Sequence, residues 1–111
     1  MNITSLEKYD SQKMYKVYDN WPKIANDAFE AKQELVHFDN IDHIVFAGMG
    51  GSGAVGDIIA SILSKSDIHI SLIKGYLLPK TVNKNTLVIV TSVSGNTIES
   101  LTILDSARKM D

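Results

Sequence analysis

The stretch IVFAGMGGSGAVGDII, from Ile44 to Ile59, decides the fold. An apolar run typical of a strand ends in four glycines and a serine, and apolar residues at helical spacing follow from Ala54. Because the run is apolar on both faces, it predicts a parallel strand buried between two layers of helices. Glycines let a ligand approach the backbone closely, and a helix that begins there adds unpaired N–H groups and a positive dipole end. The pattern favours an anion-binding turn at Gly50–Gly53 with the Ser52 hydroxyl at the closest approach; the alternative is a tight turn without a ligand.

A second stretch, LVIVTSVSGNTIESL from Leu87 to Leu101, repeats this design with hydroxyl groups. Its turn places three hydroxyl side chains around Gly95 and Asn96; they belong to Ser92, Ser94 and Thr97. Capping of the following helix by Ser94 or Asn96, with help from Glu99, is the alternative to ligand binding. Hydroxyls can also donate to phosphate oxygens, so this turn and the glycine turn together predict a two-sided cradle for a monophosphate.

The rest of the chain alternates strands and helices. We expect helices at 3–18 and from Pro22 to about Val36, strands at 43–48, 67–75 and 86–92, and helices from Ala54 and across 96–110. Such alternation predicts a parallel α/β sheet. Ligands bind beyond the carboxyl ends of such strands, where neighbouring connections run to opposite faces. If the first and third strands are neighbours, both turns lie at that crevice.

Composition excludes several classes of protein. The chain has 111 residues, enough for one modest core, a net charge of -2 and no cysteine. We therefore expect no nucleic-acid partner, no disulfide and no thiolate metal site. The polar N-terminus lacks the apolar core of a signal peptide, and no run is long enough to span a bilayer. We expect a cytoplasmic protein without a membrane partner. The abrupt end after a helix leads us to expect part of a larger protein.

Two familiar phosphate-binding motifs fit less well. A P-loop needs a lysine after its last glycine, but Ala54 follows Gly53. The dinucleotide fingerprint G-x-G-x-x-G is present as Gly48, Gly50 and Gly53, yet Lys74 stands where an acidic residue should hold a ribose. Lys74 suits a 2′-phosphate, so an NADP-binding Rossmann domain stays open as a minor alternative, although it gives the hydroxyls after the third strand no role.

The segments GMGGSGAVGDII and VSGNTIESL resemble the turns of the sugar isomerase (SIS) domain. The likeness is greatest to the N-terminal part of bifunctional phosphoglucose/phosphomannose isomerases, and the segment DNWP adds to it. It implies a three-layer α/β/α parallel sheet of the flavodoxin-like SIS type, which we expect to be incomplete here because the family sheet has five strands. The implied domains are an N-terminal helical segment, 1–38, and the N-terminal portion of a SIS domain, 39–111.

The resemblance also implies a function and a set of site residues. The full-length protein would interconvert glucose 6-phosphate or mannose 6-phosphate with fructose 6-phosphate, without a cofactor or metal. The hydroxyls of Ser52, Ser92, Ser94 and Thr97 would bind the substrate phosphate, and the backbone of Gly50, Gly51, Gly95 and Asn96 would contact the substrate. The family is usually dimeric, and an uncovered third-strand edge or the last helix would pair two copies, so we expect a homodimer.

We expect no catalytic residue within this chain. In the family, the glutamate, histidine, lysine and arginine that move protons come from later segments. Local candidates are better explained as structural, exposed or helix-face residues; they are His37, His43, His69, Asp57 and Glu99. The 111 residues alone should therefore bind phosphate but turn over little or no substrate. A SIS module that senses phosphosugars without catalysis is the non-enzymatic alternative.

Overall fold

The computed structural model describes residues 3–110. The chain divides into two compact units, Met1–Val36 and His37–Asp111, and each is considered by itself. The terminal residues of the two predicted domains, residues 1–2 and 111, lie outside the described part of the chain.

The first unit consists of three short helices, α1 (Ile3–Tyr9), α2 (Met14–Asp19) and α3 (Trp21–Glu30). The single helix predicted for 3–18 is therefore wrong. Lys13 takes a left-handed φ of 55°, and the Asp10 carboxylate accepts a 2.9 Å hydrogen bond from the backbone N–H of Tyr15. This turn interrupts the helix, and its backbone donors hold the pKa of Asp10 below its ordinary value.

Helix α3 also ends six residues before the predicted end at Val36, since its last residue is Glu30. Pro22 lies in its first turn, as predicted, but Asn20 occupies the N-cap position without a side-chain hydrogen bond. None of the residues of α3 is buried. The apolar positions beyond Glu30, Leu35 and Val36, are mostly exposed, so no packing extends the helix.

The second unit is a three-stranded parallel sheet with two helices. Its elements are β1 (His43–Ala47), α4 (Gly51–Ile62), β2 (His69–Ile73), β3 (Thr86–Val90) and α5 (Ile98–Arg108). The strand order is β2-β1-β3, which confirms that the first and third strands are neighbours. Ala47 pairs in register with both Ile73 and Val90, so all three strands end at the same level.

The two helices cover opposite faces of the sheet. A Cβ atom on Gly56 of α4 would lie 2.6 Å from the Phe46 ring and 3.0 Å from Leu72. Ile103 of α5 is fully buried in a cluster with Val45 and Ala47. Because successive strand residues point to opposite faces, Phe46 and Val45 identify two separate helix layers. The predicted three-layer parallel α/β/α arrangement is thus confirmed, and it is consistent with part of a SIS-like fold.

Helix α4 begins at Gly51, three residues before the predicted start at Ala54. Its buried residues are glycines, Gly53 and Gly56, which let the helix lie close to the sheet. The larger apolar side chains at Val55, Ile58 and Ile62 are 45%, 60% and 74% exposed. Helical spacing therefore identified the element, but the glycines rather than the large residues contact the sheet.

The other elements show a similar difference from the sequence pattern. On α5, Ile103 is buried, whereas three other apolar residues expected on its buried side are exposed: Ile98, Leu101 and Leu104. Strand β1 is buried throughout, as predicted, but β3 is only half-buried. The reason is topological, because β2 and β3 are edge strands of the described sheet and only β1 has neighbours on both sides.

Within residues 3–110, no helix is both long enough and apolar enough to cross a membrane.

Candidate functional site

The turns that follow β1 and β3 meet at the carboxyl edge of the sheet, as predicted. The backbone N–H of Thr91, just after β3, donates a 2.9 Å hydrogen bond to the carbonyl oxygen of Ala47, the last residue of β1. Between the turns lies an open pocket of about 370 Å³, lined by Gly51, Ser52, Val55, Thr91, Ser92 and Val93. Connections from β1 and β3 leave on opposite faces here, which is where α/β sheets bind ligands.

The glycine turn places the start of α4 and one hydroxyl at this pocket. Gly50 is the N-cap of α4, with φ 54° and ψ -126°, a conformation that a residue with a side chain adopts only under strain. No side chain caps the helix. In its first turn, the Ser52 N–H donates to the Met49 carbonyl at 3.1 Å and the Gly53 N–H to the Gly50 carbonyl at 3.0 Å. The positive end of the helix dipole and the half-buried Ser52 side chain therefore face the pocket.

The second turn gathers three side-chain hydroxyls, those of Ser92, Ser94 and Thr97, here called the hydroxyl cluster. Thr97 Oγ1 lies 3.1 Å from Ser92 Oγ and 3.3 Å from Ser94 Oγ, and the two serine oxygens are 3.4 Å apart. Hydrogen bonds between hydroxyls are usually about 2.7–2.8 Å long, so these contacts are weak. A rotation about each C–O bond would turn the donors toward an anion at little cost.

Capping does not explain the hydroxyl cluster. The N-cap of α5 is Thr97, and no side chain makes a cap hydrogen bond, so the alternative of a cap at Ser94 or Asn96 is excluded. The serine oxygens instead accept from N–H groups inside the turn, Ser92 from Gly95 at 3.1 Å and Ser94 from Asn96 at 3.3 Å. These bonds hold the turn open with Gly95 at a φ of 67°. The helix thus begins with its own N–H groups uncapped by any side chain.

Glu99 has a different role from the predicted capping. It is half-buried in the first turn of α5, and its carboxylate raises the pKa of the Tyr76 phenol above 10.0, first as a hydrogen-bond acceptor and second as a negative charge. Tyr76 follows β2 and is half-exposed. Glu99 therefore interacts with a residue of the connection after β2, and it makes no cap hydrogen bond to the backbone of its own helix.

The pocket brings together only some of the predicted site residues. Gly51, Ser52 and Ser92 line it directly. Ser94 and Thr97 adjoin it through their contacts with the Ser92 hydroxyl. A separate groove beside β3 and α5 is lined by Gly95 and also by Ser92. Gly50 and Asn96 line neither this pocket nor this groove, and they contribute to the backbone of the turns.

Thr91 is a pocket residue that the sequence reading missed. Its Oγ1 donates toward the Ser52 carbonyl at 3.2 Å and toward the Ala47 carbonyl at 3.4 Å. The available signal was its position, since it is the first residue after β3 and a hydroxyl there faces the neighbouring strand. The S-x-S-G-N-T pattern begins one residue later, at Ser92, and does not include Thr91.

Among residues 3–110, no basic side chain lines the pocket. Lys74 Nζ lies 2.8 Å from Asp57 Oδ2, and both side chains are about half exposed. Lys74, the residue proposed for a 2′-phosphate in the NADP alternative, is therefore already paired with a carboxylate. An anion in the pocket would be held by neutral donors and helix dipoles, which suit a phosphate group.

The histidines lie away from the pocket. His43 and His69 begin β1 and β2, at the amino edge of the sheet, and their ring centroids are 4.8 Å apart. His43 is buried, and its Nε2 lies 2.9 Å from Ser71 Oγ and its Nδ1 3.3 Å from Thr86 Oγ1. His37 and His69 are exposed. The expectation that these side chains are structural or exposed is confirmed.

Comparison with known proteins identifies the relationship. The chain is 33% identical over 99 residues, 86% of its length, to the bifunctional phosphoglucose/phosphomannose isomerase of Caldicellulosiruptor bescii. It is 42% identical over 65 residues, 57% of its length, to the protein of the same name from Pyrobaculum calidifontis. The chain is a distant homologue of the bifunctional phosphoglucose/phosphomannose isomerases. The matches span only 29% and 21% of these relatives.

The chain also matches an enzyme with a different name. The chain is 28% identical over 97 residues, 87% of its length and 30% of the relative, to the D-glucosamine-6-phosphate 4-epimerase of Sulfolobus acidocaldarius. All three relatives are named as enzymes that act on phosphorylated sugars. No family model matches the sequence, and no solved structure matches the chain significantly.

Proposed function

We propose that this chain carries the phosphate-binding part of a phosphosugar isomerase site. The substrate phosphate would occupy the pocket between the glycine turn and the hydroxyl cluster. Ser52 would donate from one side and Ser92, Ser94 and Thr97 from the other, while the backbone of Gly50, Gly51, Gly95 and Asn96 would contact the substrate. Residues 39–111 would then be the N-terminal portion of a SIS domain, preceded by a helical segment at 1–38.

The observation that carries the proposal is that the glycine turn before α4 and the hydroxyl cluster before α5 meet at one pocket. Helices α4 and α5 both begin without a side-chain cap, and Ser52 and Ser92 line the same space. A phosphate dianion can accept hydrogen bonds from many directions and is favoured at the positive end of a helix. Hydroxyl groups beside those helix ends supply further hydrogen-bond donors that carry no charge.

The reaction of the whole protein would be aldose–ketose isomerisation of glucose 6-phosphate or mannose 6-phosphate with fructose 6-phosphate. That reaction needs a base that moves a proton between C1 and C2. Within residues 3–110, the candidate bases have other roles. His43 is hydrogen-bonded at the amino edge, Asp57 is paired with Lys74, and Glu99 faces Tyr76. We therefore assign the chain a binding role and place the proton transfer on groups outside it.

The test is a titration of the 111-residue chain with fructose 6-phosphate, followed by amide NMR. We expect saturable shifts of the Gly51, Ser52, Ser92 and Gly95 amides, whereas fructose, which lacks the phosphate, should leave them in place. Inorganic phosphate should shift the same amides more weakly. Equal shifts with fructose, or none with fructose 6-phosphate, would refute the phosphate site.

An isomerase assay on the same sample tests the second half of the proposal. Fructose 6-phosphate should remain unconverted, because no base reaches its reacting carbons. Clear conversion by the purified chain would show that a catalytic group had been overlooked. Saturable NADPH binding that Lys74→Ala abolishes would instead favour the dinucleotide alternative.

We also propose that two copies pair through the open edge of β3. Within residues 3–110, β3 hydrogen-bonds only to β1. Beside its free edge lies a groove of about 300 Å³ whose lining includes Val88, Leu101 and Leu104. The Ser100 hydroxyl is buried in this groove and lacks a hydrogen-bond partner among the described residues. An uncovered edge beside an apolar groove is a site where another strand or chain adds.

Light scattering after gel filtration tests this pairing. The wild-type chain should elute with the mass of a dimer, and Leu101→Glu should convert it to a monomer by placing a charge in the groove. Leu77→Glu is the matched control, because Leu77 is 83% exposed and outside the groove. A wild-type monomer at high concentration would refute the pairing.

A further inference from the structure

We propose that Thr91 is the positioning residue that sets the width of the phosphate pocket; this inference rests on the function proposed above. Its Oγ1 lies 3.2 Å from the carbonyl oxygen of Ser52 in the first turn of α4. Its backbone N–H is bonded to Ala47 at the end of β1. Thr91 thus joins the end of β3 both to the neighbouring strand and to the start of the helix that carries Ser52.

The backbone around Thr91 is shaped for this contact. Gly48 is buried between the two partners, since a Cβ atom there would lie 2.7 Å from Thr91 Oγ1 and 2.9 Å from the Ser52 carbonyl. Any side chain at Gly48 would push the start of α4 away from β3. The missing side chain at Gly48 and the hydroxyl at Thr91 are therefore two parts of one contact, here called the Thr91 clamp.

The clamp acts on the residues that would hold the phosphate. Ser92 follows Thr91 directly in the chain, and Ser52 supplies the carbonyl that Thr91 bonds. Strand pairing fixes the ends of β1 and β3, but it does not fix where the first turn of α4 lies. The Thr91 hydroxyl is the side-chain link that holds Ser52 at its distance from Ser92, and donors held in place before binding avoid the cost of ordering them.

The fold should tolerate loss of the hydroxyl. Valine has nearly the shape of threonine and a high β-propensity, so Thr91→Val removes the donor while retaining the packing. The Ala47 carbonyl keeps its 2.9 Å bond from the Thr91 backbone N–H in this variant. The consequence should therefore appear in ligand binding more than in stability.

The experiment compares fructose 6-phosphate binding by the wild-type chain, Thr91→Val and Thr91→Ser, together with their melting temperatures. We expect Kd to rise about tenfold in Thr91→Val with little change in melting, and to return close to wild type in Thr91→Ser, which restores the donor. The Ser52 and Gly53 amide resonances of Thr91→Val should also move in the absence of ligand.

The outcomes separate the clamp from the proposed function. A wild-type chain that binds no fructose 6-phosphate refutes the function itself. Wild-type binding that is unchanged in Thr91→Val, or weakened equally in Thr91→Ser, refutes the clamp. If Thr91→Val does not fold, hydroxyl-proton exchange in the wild-type chain decides: the Thr91 proton should exchange with water more slowly than that of exposed Ser94, and equal rates refute the clamp.

Discussion

The two edges of the sheet carry polar clusters of opposite character. At the amino edge, His43, Ser71 and Thr86 form a hydrogen-bonded group around a buried ring. At the carboxyl edge, Ser92, Ser94 and Thr97 lie half-buried or exposed beside an open pocket. The same three strands present both groups, so secondary structure does not distinguish them. The difference lies in where their donors and acceptors find partners.

The hydrogen-bonding groups at the amino edge find their partners within the protein. The Thr86 Oγ1 accepts from the Asn83 N–H at 3.0 Å and can donate to His43 Nδ1, while His43 Nε2–H can donate to Ser71 Oγ. The Ser71 hydroxyl in turn reaches His69 Nε2 at 3.3 Å. Every hydroxyl in this chain of bonds has both a donor and an acceptor within the protein. Such a group stabilises the fold and leaves nothing for a ligand.

The carboxyl-edge group lies beside an open pocket. Among the described residues, its hydroxyls contact one another at 3.1–3.4 Å and its serine oxygens accept from N–H groups of their own turn, so rotation about a C–O bond can turn a donor toward the pocket. A polar cluster at a strand end is therefore a binding candidate when it borders an open pocket and its donors can be redirected. Four substitutions test this contrast, and they follow in order of expected effect.

The largest effect should come from His43→Ala at the amino edge. Loss of a buried ring and of both its hydroxyl partners should lower the free energy of unfolding by about 2–4 kcal/mol. Fructose 6-phosphate binding by the folded fraction should be unchanged. Denaturant unfolding measures the effect, with His37→Ala as the control because His37 is exposed. If both variants were equally stable, the two edges would not differ as described.

Gly50→Ala should cost less, about 1–3 kcal/mol, because a side chain is strained at a φ of 54°. Gly51→Ala is a closely matched control, since a Cβ atom there meets no atom within 4 Å and its φ is not positive. Alanine favours a helix over glycine, so Gly51→Ala should leave stability unchanged or raise it slightly. Thermal unfolding of the pair tests whether the glycine turn needs its conformation; equal melting would contradict this.

Ser92→Ala should weaken fructose 6-phosphate binding by about tenfold, equal to about 1.4 kcal/mol, as expected for one hydroxyl contact to an anion. Loss of the 3.1 Å bond from the Gly95 N–H should lower stability by no more than about 1 kcal/mol. Ser64→Ala is the control, since Ser64 is exposed and far along the chain from both turns. Calorimetric titration measures the affinities. Wild-type affinity in Ser92→Ala would remove the hydroxyl cluster from the site.

The smallest effect concerns Tyr76 and Glu99 at the carboxyl edge. Because the Glu99 carboxylate stabilises the protonated phenol, Glu99→Gln should lower the pKa of Tyr76 toward 10.0. The raised pKa contributes stability below the pKa of the unfolded chain, and this is lost as pH rises through the folded value. NMR titration of the Tyr76 ring in the wild-type chain and in Glu99→Gln measures the shift. An unchanged Tyr76 titration would show that the two groups do not interact.

Much of the fold could be predicted because its signals are local. The apolar run before Gly48 and the run from Leu87 each predict a buried strand, and the strand-turn-helix order predicts a parallel sheet. Boundaries were less predictable. The break at Lys13 depends on a turn held by Asp10, and the start of α4 at Gly51 depends on its close approach to the sheet. Helical spacing does not reveal either contact, because it reports only the periodicity of apolar residues within one segment and not which other residues contact that segment.

The sequence by itself determined which chemistry could gather at the carboxyl edge, because glycines and hydroxyls must follow the strands that bear them. It also determined the relationship to phosphosugar isomerases, which rests on shared residues. Only the tertiary structure decided which residues do the packing and which polar groups remain unsatisfied. Gly56 contacts the sheet while Ile58 is exposed, and Thr91 reaches Ser52 across 39 positions of chain. The physical reason is that burial and hydrogen bonding between distant residues depend on strand order and register, which bring together positions that no local pattern connects.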